Sequence, residues 1–394
     1  MRLRGRIPSA PTLRRHRTLL VAALVAGGVV GPAATASAAP PHRTAVIVQL
    51  ADGSDPAAES RQAAGSDGQV SHVFASAFHG FAAELPDPAI AALQRNPNVT
   101  AIEPDGVVSV TDTQPGAPWG LDRIDQQALP LSGSYNFPAG PGAGVTAYIV
   151  DTGVAPAADL DQRRSGYDVI TPGGDGSGDC DGHGTHVAGT VAGNTYEVAK
   201  SATVVPVRVL GCDGSGTWSG VIAGLDWVVA HHTSGPAVVN MSLGGGVSSS
   251  VDAAVQRVIA DNVTMAVAAG NSSADACTTS PARVPAALTV GATDTADRRA
   301  SFSNYGSCVD LFAPGVSVTS DWLGGGTNTI SGTSMATPHV TGAAAVLLSR
   351  NPTLTPAEVA RQLVTLSTKS IVVDAGPQSP RRLLYSPAAP ATTG

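Results

Sequence analysis

The sequence predicts an α/β protein: a doubly wound, mainly parallel sheet preceded by a small α+β unit. Residues 144–150, 204–210, 237–243, 263–269 and 287–291 are short apolar, β-branched runs without polar alternation. Such runs are the pattern of strands buried on both faces of a parallel sheet. Helix-like stretches lie between them at 183–192, 219–231 and 249–260, and alternating β and α elements build doubly wound sheets. Before residue 111 the pattern differs: short strand-like and helix-like pieces fill a stretch of about 70 residues, small for a self-sufficient core.

The elements follow in chain order. Arg2, Arg4, Arg6, Arg14, Arg15 and Arg17 precede an apolar run at 19–30 and the small residues Ala36-Ser37-Ala38. A basic start, a short apolar stretch and a small-residue cut site describe a secretory signal peptide over residues 1–38. A membrane anchor would need a longer span, and Gly27, Gly28, Gly31 and Pro32 interrupt this one. The small unit occupies residues 40–111. There 44–50 alternates like a strand, 70–85 holds two short apolar runs, 88–95 suits a short helix, and 99–110 contains a last strand. The larger domain is expected over 112–386. Near its end Thr355-Pro356-Ala357-Glu358 is a capping box with proline at the first helical position, opening a helix to about residue 366. Residues 387–394, rich in Pro, Ala and Thr, are expected to form a disordered tail.

Composition narrows the partners. Hydrophobic content of 43% against 13% charged excludes general disorder. The formal net charge is −7 and becomes more acidic without the six N-terminal arginines. That argues against nucleic acid and suits calcium, a hard cation that prefers carboxylate and carbonyl oxygens. No stretch after the signal is long and apolar enough to span a membrane, so no membrane association is expected once the signal is removed, and a monomer is expected. The four cysteines, Cys180, Cys212, Cys277 and Cys308, all follow the signal. An even number in an exported chain suggests two disulfides, with three pairings open. Zinc is disfavoured because no C-x-x-C spacing occurs.

The chemistry centres on Gly332-Thr333-Ser334-Met335-Ala336-Thr337-Pro338-His339, with the apolar run 340–348 continuing as a helix. A serine needs a base to take its proton. Here it sits on an expected glycine-permitted turn at a helix start, where free N–H groups and a positive dipole end favour developing negative charge. An acid and a base lie upstream, in Val150-Asp151-Thr152-Gly153 and Asp181-Gly182-His183-Gly184-Thr185-His186. Asp151 follows a strand end, where ligands collect in open parallel sheets. It can accept the His183 ring N–H and fix its tautomer. The order Asp, His, Ser distinguishes hydrolase families, and Ala336 breaks the G-x-S-x-G pattern of the α/β-hydrolases. His186 stands at i+3 from His183, as a pair of metal ligands might, but the glutamate of H-E-x-x-H is missing; His186 is assigned a structural role.

These motifs resemble the subtilase family, in particular its proteinase K and aqualysin branch. The likeness extends over residues 44–386, including 118–134, 280–290, 301–314 and 382–386. It implies a subtilisin-like fold and a secreted serine endopeptidase with Asp151, His183 and Ser334 as triad. Asn271 and the Ser334 N–H would stabilise the oxyanion. Residues 40–111 resemble the family's ferredoxin-like propeptide, which acts as chaperone and inhibitor of its own protease. Extended protein or peptide substrates would pair with Gly214-Ser215-Gly216 and Ser242-Leu243-Gly244 by strand addition, with Ala269 and Gly270 lining an apolar P1 pocket. The resemblance also implies the pairings Cys180–Cys212 and Cys277–Cys308. It implies structural Ca2+ at Asp310 with the carbonyls of Pro285 and Ala287, and at a second set formed by Asp122, Asp125, Gln126, Ser132 and Ser134. The alternative from another class is a secreted, catalytically silent relative that only binds peptides.

Overall fold

A computed structural model describes residues 42–105 and 111–388. The expected signal peptide, the end of the tail and residues 106–110 lie outside this description. The chain divides into two compact units, one reaching Asp105 and one starting at Gly106.

The first unit runs β1 (Arg43–Leu50), α1 (Pro56–Ala64), β2 (Gln69–Phe74), β3 (Gly80–Pro86), α2 (Asp87–Leu93) and β4 (Val99–Pro104). Its strands lie in the order β2-β3-β1-β4 and pair antiparallel, the ferredoxin-like arrangement. Val46, Val48, Leu50, Phe81, Ala83, Leu85 and Leu93 fill the core. Helix α1 was not expected. Its sequence PAAESRQAA buries only Pro56 and Ser60, so it has no apolar stripe to read. Asp55 starts it by accepting the N–H groups of Ala57 and Ala58.

The second unit begins with β5 (Thr111–Pro115), α3 (Trp119–Ile124) and β6 (Ser134–Pro138); the two strands form an antiparallel ribbon. The main body follows as β7 (Thr146–Asp151), β8 (Tyr167–Asp168), α4 (His183–Val191), β9 (Thr203–Arg208), α5 (Trp218–His231) and β10 (Ala237–Met241). It continues with β11 (Gly245–Gly246), α6 (Ser249–Ala260), β12 (Thr264–Ala268), β13 (Thr279–Ser280), β14 (Leu288–Thr293) and β15 (Leu311–Pro314). It ends with β16 (Val318–Asp321), β17 (Thr327–Ile330), α7 (Thr333–Arg350) and α8 (Pro356–Leu366).

Seven of these strands form one parallel sheet in the order β15-β14-β12-β10-β7-β9-β8. Along β7, Ala147 and Ile149 face a core built with Val187 and Ala188 of α4 and Val340 and Ala343 of α7. Tyr148 and Val150 face the other core, with Val221, Leu225 and Val228 of α5 and Val251, Val255 and Val258 of α6. Both faces are thus buried, which is why the strands lack polar alternation. The sheet adds β8 and β15 to the five expected strands; two and four residues are too short to show a period.

Candidate active site

The expected strands 204–210, 237–243 and 263–269 stop early, at Arg208, Met241 and Ala268. The chemically distinctive residues therefore stand just beyond the carboxyl ends of parallel strands, where an open sheet leaves a crevice. Asp151 is the last residue of β7 and fully buried. Its Oδ1 accepts His183 Nδ1 at 2.7 Å and the Thr152 N–H at 2.7 Å. Its Oδ2 is buried without a partner among the described residues.

His183 opens α4. Asp179 shapes the approach to it, accepting from Thr152 Oγ1, from the N–H groups of Asp181 and Gly182, and from Thr185 through both N–H and hydroxyl. Gly184 follows because a Cβ there would lie 2.1 Å from the Gly153 carbonyl. Burial acts most strongly on His183 and disfavours its charged form. The neighbouring Asp151, Asp181 and Asp179 together outweigh burial, so the ring titrates above its ordinary value of 6.5. His186 behaves as the sequence suggested. It is fully buried, its Nε2 lies 3.0 Å from the Val318 carbonyl, and burial pushes its pKa down to about 4.

Ser334 is the second residue of α7, so its N–H belongs to the unpaired first turn of a helix. Its hydroxyl donates to the Ser242 carbonyl at 3.0 Å; no hydrogen bond joins it to His183 among the described residues. Catalytic bonds are often long before substrate binds, and Ser334 and His183 line the same groove. The turn expected at Gly332 is not left-handed: φ is 168° and ψ 163°, an extended backbone. A Cβ at Gly332 would fall 3.5 Å from Asn271 Nδ2 and 3.6 Å from the Ser334 nitrogen, which is ordinary contact distance, so Gly332 lies against both groups.

Asn271 follows β12, and its amide orientation is fixed by Thr333. The Thr333 N–H and hydroxyl both donate to Asn271 Oδ1 at 2.8 Å, which leaves Nδ2 as the outward donor. Thr333 was not singled out from the sequence, although it is the neighbour of Ser334. Gly214, Ser215, Gly216, Ser242, Leu243 and Gly244 line a groove of about 560 Å³ with His183 and Ser334. Ala269, Gly270 and Asn271 line an adjoining pocket of about 360 Å³ that also reaches Ser334. All eight expected substrate contacts therefore border the reacting groups.

The cysteines pair as Cys180–Cys212 and Cys277–Cys308, as the resemblance implied. The groups named for calcium are oxygen donors, the type a hard cation prefers. Asp310 is largely buried; its Oδ2 accepts the Thr289 N–H at 2.8 Å, and burial raises its pKa to about 6. A carboxylate so poorly compensated favours a bound cation. In the second set, Asp122 accepts from Ser132 and Gly133, and Gln126 accepts from Ser132. Ser132 and Ser134 join through their hydroxyls, and Asp125 Oδ1 is buried without a partner among the described residues. Among the described residues no three His, Cys, Asp or Glu side chains converge on a metal position; both sets draw on carbonyl, hydroxyl or amide oxygens as well.

The description "Subtilase family" matches residues 142–382, and "Peptidase inhibitor I9" matches residues 38–111. The chain is 56% identical over 323 residues to the extracellular serine proteinase of Thermus sp. (strain Rt41A), covering 81% of this chain and 78% of that protein. It is 51% identical over 328 residues to alkaline serine exoprotease A of Vibrio alginolyticus, covering 81% of this chain and 60% of that one. A solved cold adapted subtilisin-like serine proteinase superposes with a TM-score of 0.66 at 54% identity, over 69% of this chain and 98% of its own.

Proposed function

The chain belongs to the subtilase family of serine endopeptidases, and we propose that it cleaves peptide bonds through Asp151, His183 and Ser334. The observation that carries this reading is the 2.7 Å contact of His183 Nδ1 with buried Asp151, on the groove that also exposes Ser334. Ser334 Oγ leaves the Ser242 carbonyl and attacks the scissile carbonyl while His183 Nε2 takes its proton. Asp151 holds the tautomer and stabilises the imidazolium. The Ser334 N–H and Asn271 Nδ2 receive the oxyanion. His183 then protonates the leaving amine, and water, deprotonated by the same ring, hydrolyses the acyl-enzyme.

An extended substrate runs between residues 214–216 and 242–244, with its P1 side chain in the pocket beside Ala269 and Gly270. The enzyme is exported by residues 1–38 and made as a precursor whose residues 40–111 assist folding and then inhibit. The similarity of 38–111 to peptidase inhibitor I9 and the extracellular relative support this. No helix among the described residues is long and apolar enough to cross a membrane. Calcium, held by Asp310 with the Pro285 and Ala287 carbonyls and by the Asp122 set, supplies charge compensation to loops and no catalytic step.

A fluorophosphonate probe tests the mechanism. The processed protein is expected to become labelled at Ser334 and to lose activity in proportion, and Ser334→Ala to remain unlabelled. Absence of labelling in active-site-intact protein would favour the silent peptide-binding alternative.

A further inference from the structure

We propose that Asn304 is a positioning residue for the oxyanion amide, holding the segment 269–274 so that Asn271 stays aimed at the reacting carbonyl. The inference rests on the reading of Asn271 given above. Asn304 is 1% exposed, and its three side-chain hydrogen bonds all go to this one segment. Nδ2 donates to the Ala269 carbonyl at 2.8 Å. Oδ1 accepts the N–H groups of Ser272 and Ala274, each at 3.0 Å. The Asn304 backbone N–H donates to the Gly270 carbonyl at 2.8 Å. Asn271 thus lies inside a span tied on both sides to a single residue. Gly270 adopts φ +104°, and a Cβ there would lie 2.5 Å from Asn304 Nδ2, so loop and amide are packed without slack.

Asn304 is itself anchored to the sheet. Ser303 Oγ accepts the Ala292 N–H of β14 and donates to the Asn304 carbonyl, both at 3.0 Å. Arg299 Nη1 donates to the Ser303 carbonyl at 2.6 Å. On the opposite side Thr333 grips Asn271 Oδ1 and accepts the Gly270 N–H at 3.2 Å. The oxyanion amide therefore stands between two clamps, one fixed to β14 and one to α7. Only a carboxamide presents a donor to Ala269 and an acceptor to two N–H groups at this length. Asn304 reaches no reacting atom. Its effect is transmitted through Asn271, where a misplacement of about 1 Å can cost ~10²-fold in rate.

The test is a double-mutant cycle on the processed enzyme, with kcat referred to titrated active sites. Asn304 also backs the P1 pocket, so KM is expected to move independently and kcat is the deciding quantity. Asn304→Ala is expected to lower kcat by ~10-fold or more in the wild-type background and by less than about twofold in Asn271→Ala. Asn304→Asp keeps both accepted N–H bonds but loses the donor to Ala269. It should show the same coupling and serves if the alanine variant fails to mature. Equal losses in both backgrounds, or no loss of kcat, would overturn the proposal. A single Asn271→Ala variant with unchanged kcat would instead remove the oxyanion reading on which it stands.

Discussion

Pro338 leaves the carbonyl of Ser334 without its helical partner. In α7 the N–H of residue 338 would bond the carbonyl four residues earlier, and proline has no N–H to give. The Ser334 carbonyl accepts the Ser242 hydroxyl at 2.8 Å instead, while Ser334 Oγ donates back to the Ser242 carbonyl at 3.0 Å. A missing helix bond thus becomes a tie between the Ser334 backbone and the loop after β10. Asn240 Nδ2 completes it by donating to Ser242 Oγ at 2.8 Å.

Ser242→Ala should therefore destabilise the protein by about 1–3 kcal/mol, because it leaves a carbonyl and an amide unpaired in a buried place. In a Pro338→Ala background the loss should be smaller, since the restored helical N–H can satisfy Ser334. Denaturant melts of the four proteins decide it; a loss equal in both backgrounds would contradict the exchange described here.

Asn271→Ala should reduce kcat by ~10²–10³-fold, the range for removal of one oxyanion donor. If the enzyme's own site makes the cut that releases residues 40–111, expected near residues 110–112, Ser334→Ala should accumulate as uncleaved precursor in a protease-free host. N-terminal sequencing of both products is the check, and normal maturation of Ser334→Ala would rule out self-processing.

The acid limb of kcat/KM should lie above pH 6.5. His183 accepts a proton only when neutral, and its pKa is raised overall although burial opposes its charge. Activity then grows as pH rises through that raised value. Asp181→Asn removes one of the charges responsible and should move the limb to lower pH. A limb that stays in place would show that Asp181 does not act on the ring.

Chelation should lower the melting temperature if the Asp310 and Asp122 sets hold calcium, because a ligand of the native state stabilises by mass action. The response should shrink in Asp310→Ala and in Asp122→Ala. Scanning calorimetry after equilibration with excess chelator tests both sets, and identical melts would speak against them.

Cleavage should follow apolar or aromatic residues, with little preference for Lys or Arg, because small residues and no acid border the pocket at Ala269 and Gly270. Met335 is 1% exposed yet adjoins Ser334, and its sulfoxide is more polar than the thioether. Peroxide should depress turnover, while Met335→Ala should resist it. Digestion of a peptide library reads the first expectation, and activity after timed oxidation reads the second.

Much of this was legible because the informative signals are local. The five long buried strands and their helices carry uninterrupted apolar runs, and the Asp151, His183 and Ser334 motifs each fit within a few residues. Helix α1 was invisible because it buries almost nothing apolar, and β15 because four residues show no period. Asn304 was illegible for a different reason. Its function depends on the loop it faces across the fold, and an asparagine in Ser303-Asn304-Tyr305 looks like any turn residue. Gly332 was read as a turn former, yet its backbone is extended, a conformation open to any residue.

The parallel sheet also has a kinetic consequence. Each strand pair within it closes only after a long intervening segment has been ordered, and such closures cost entropy before they return any contact. Asp151 ends β7 and Ser334 stands in the first turn of α7, elements far apart in the chain that pack into one core. Folding through such closures is therefore expected to be slow. If residues 40–111 are cut away as proposed, the remaining domain cannot easily refold, its survival is then a matter of unfolding rate, and the loss of a loop clamp should shorten its lifetime.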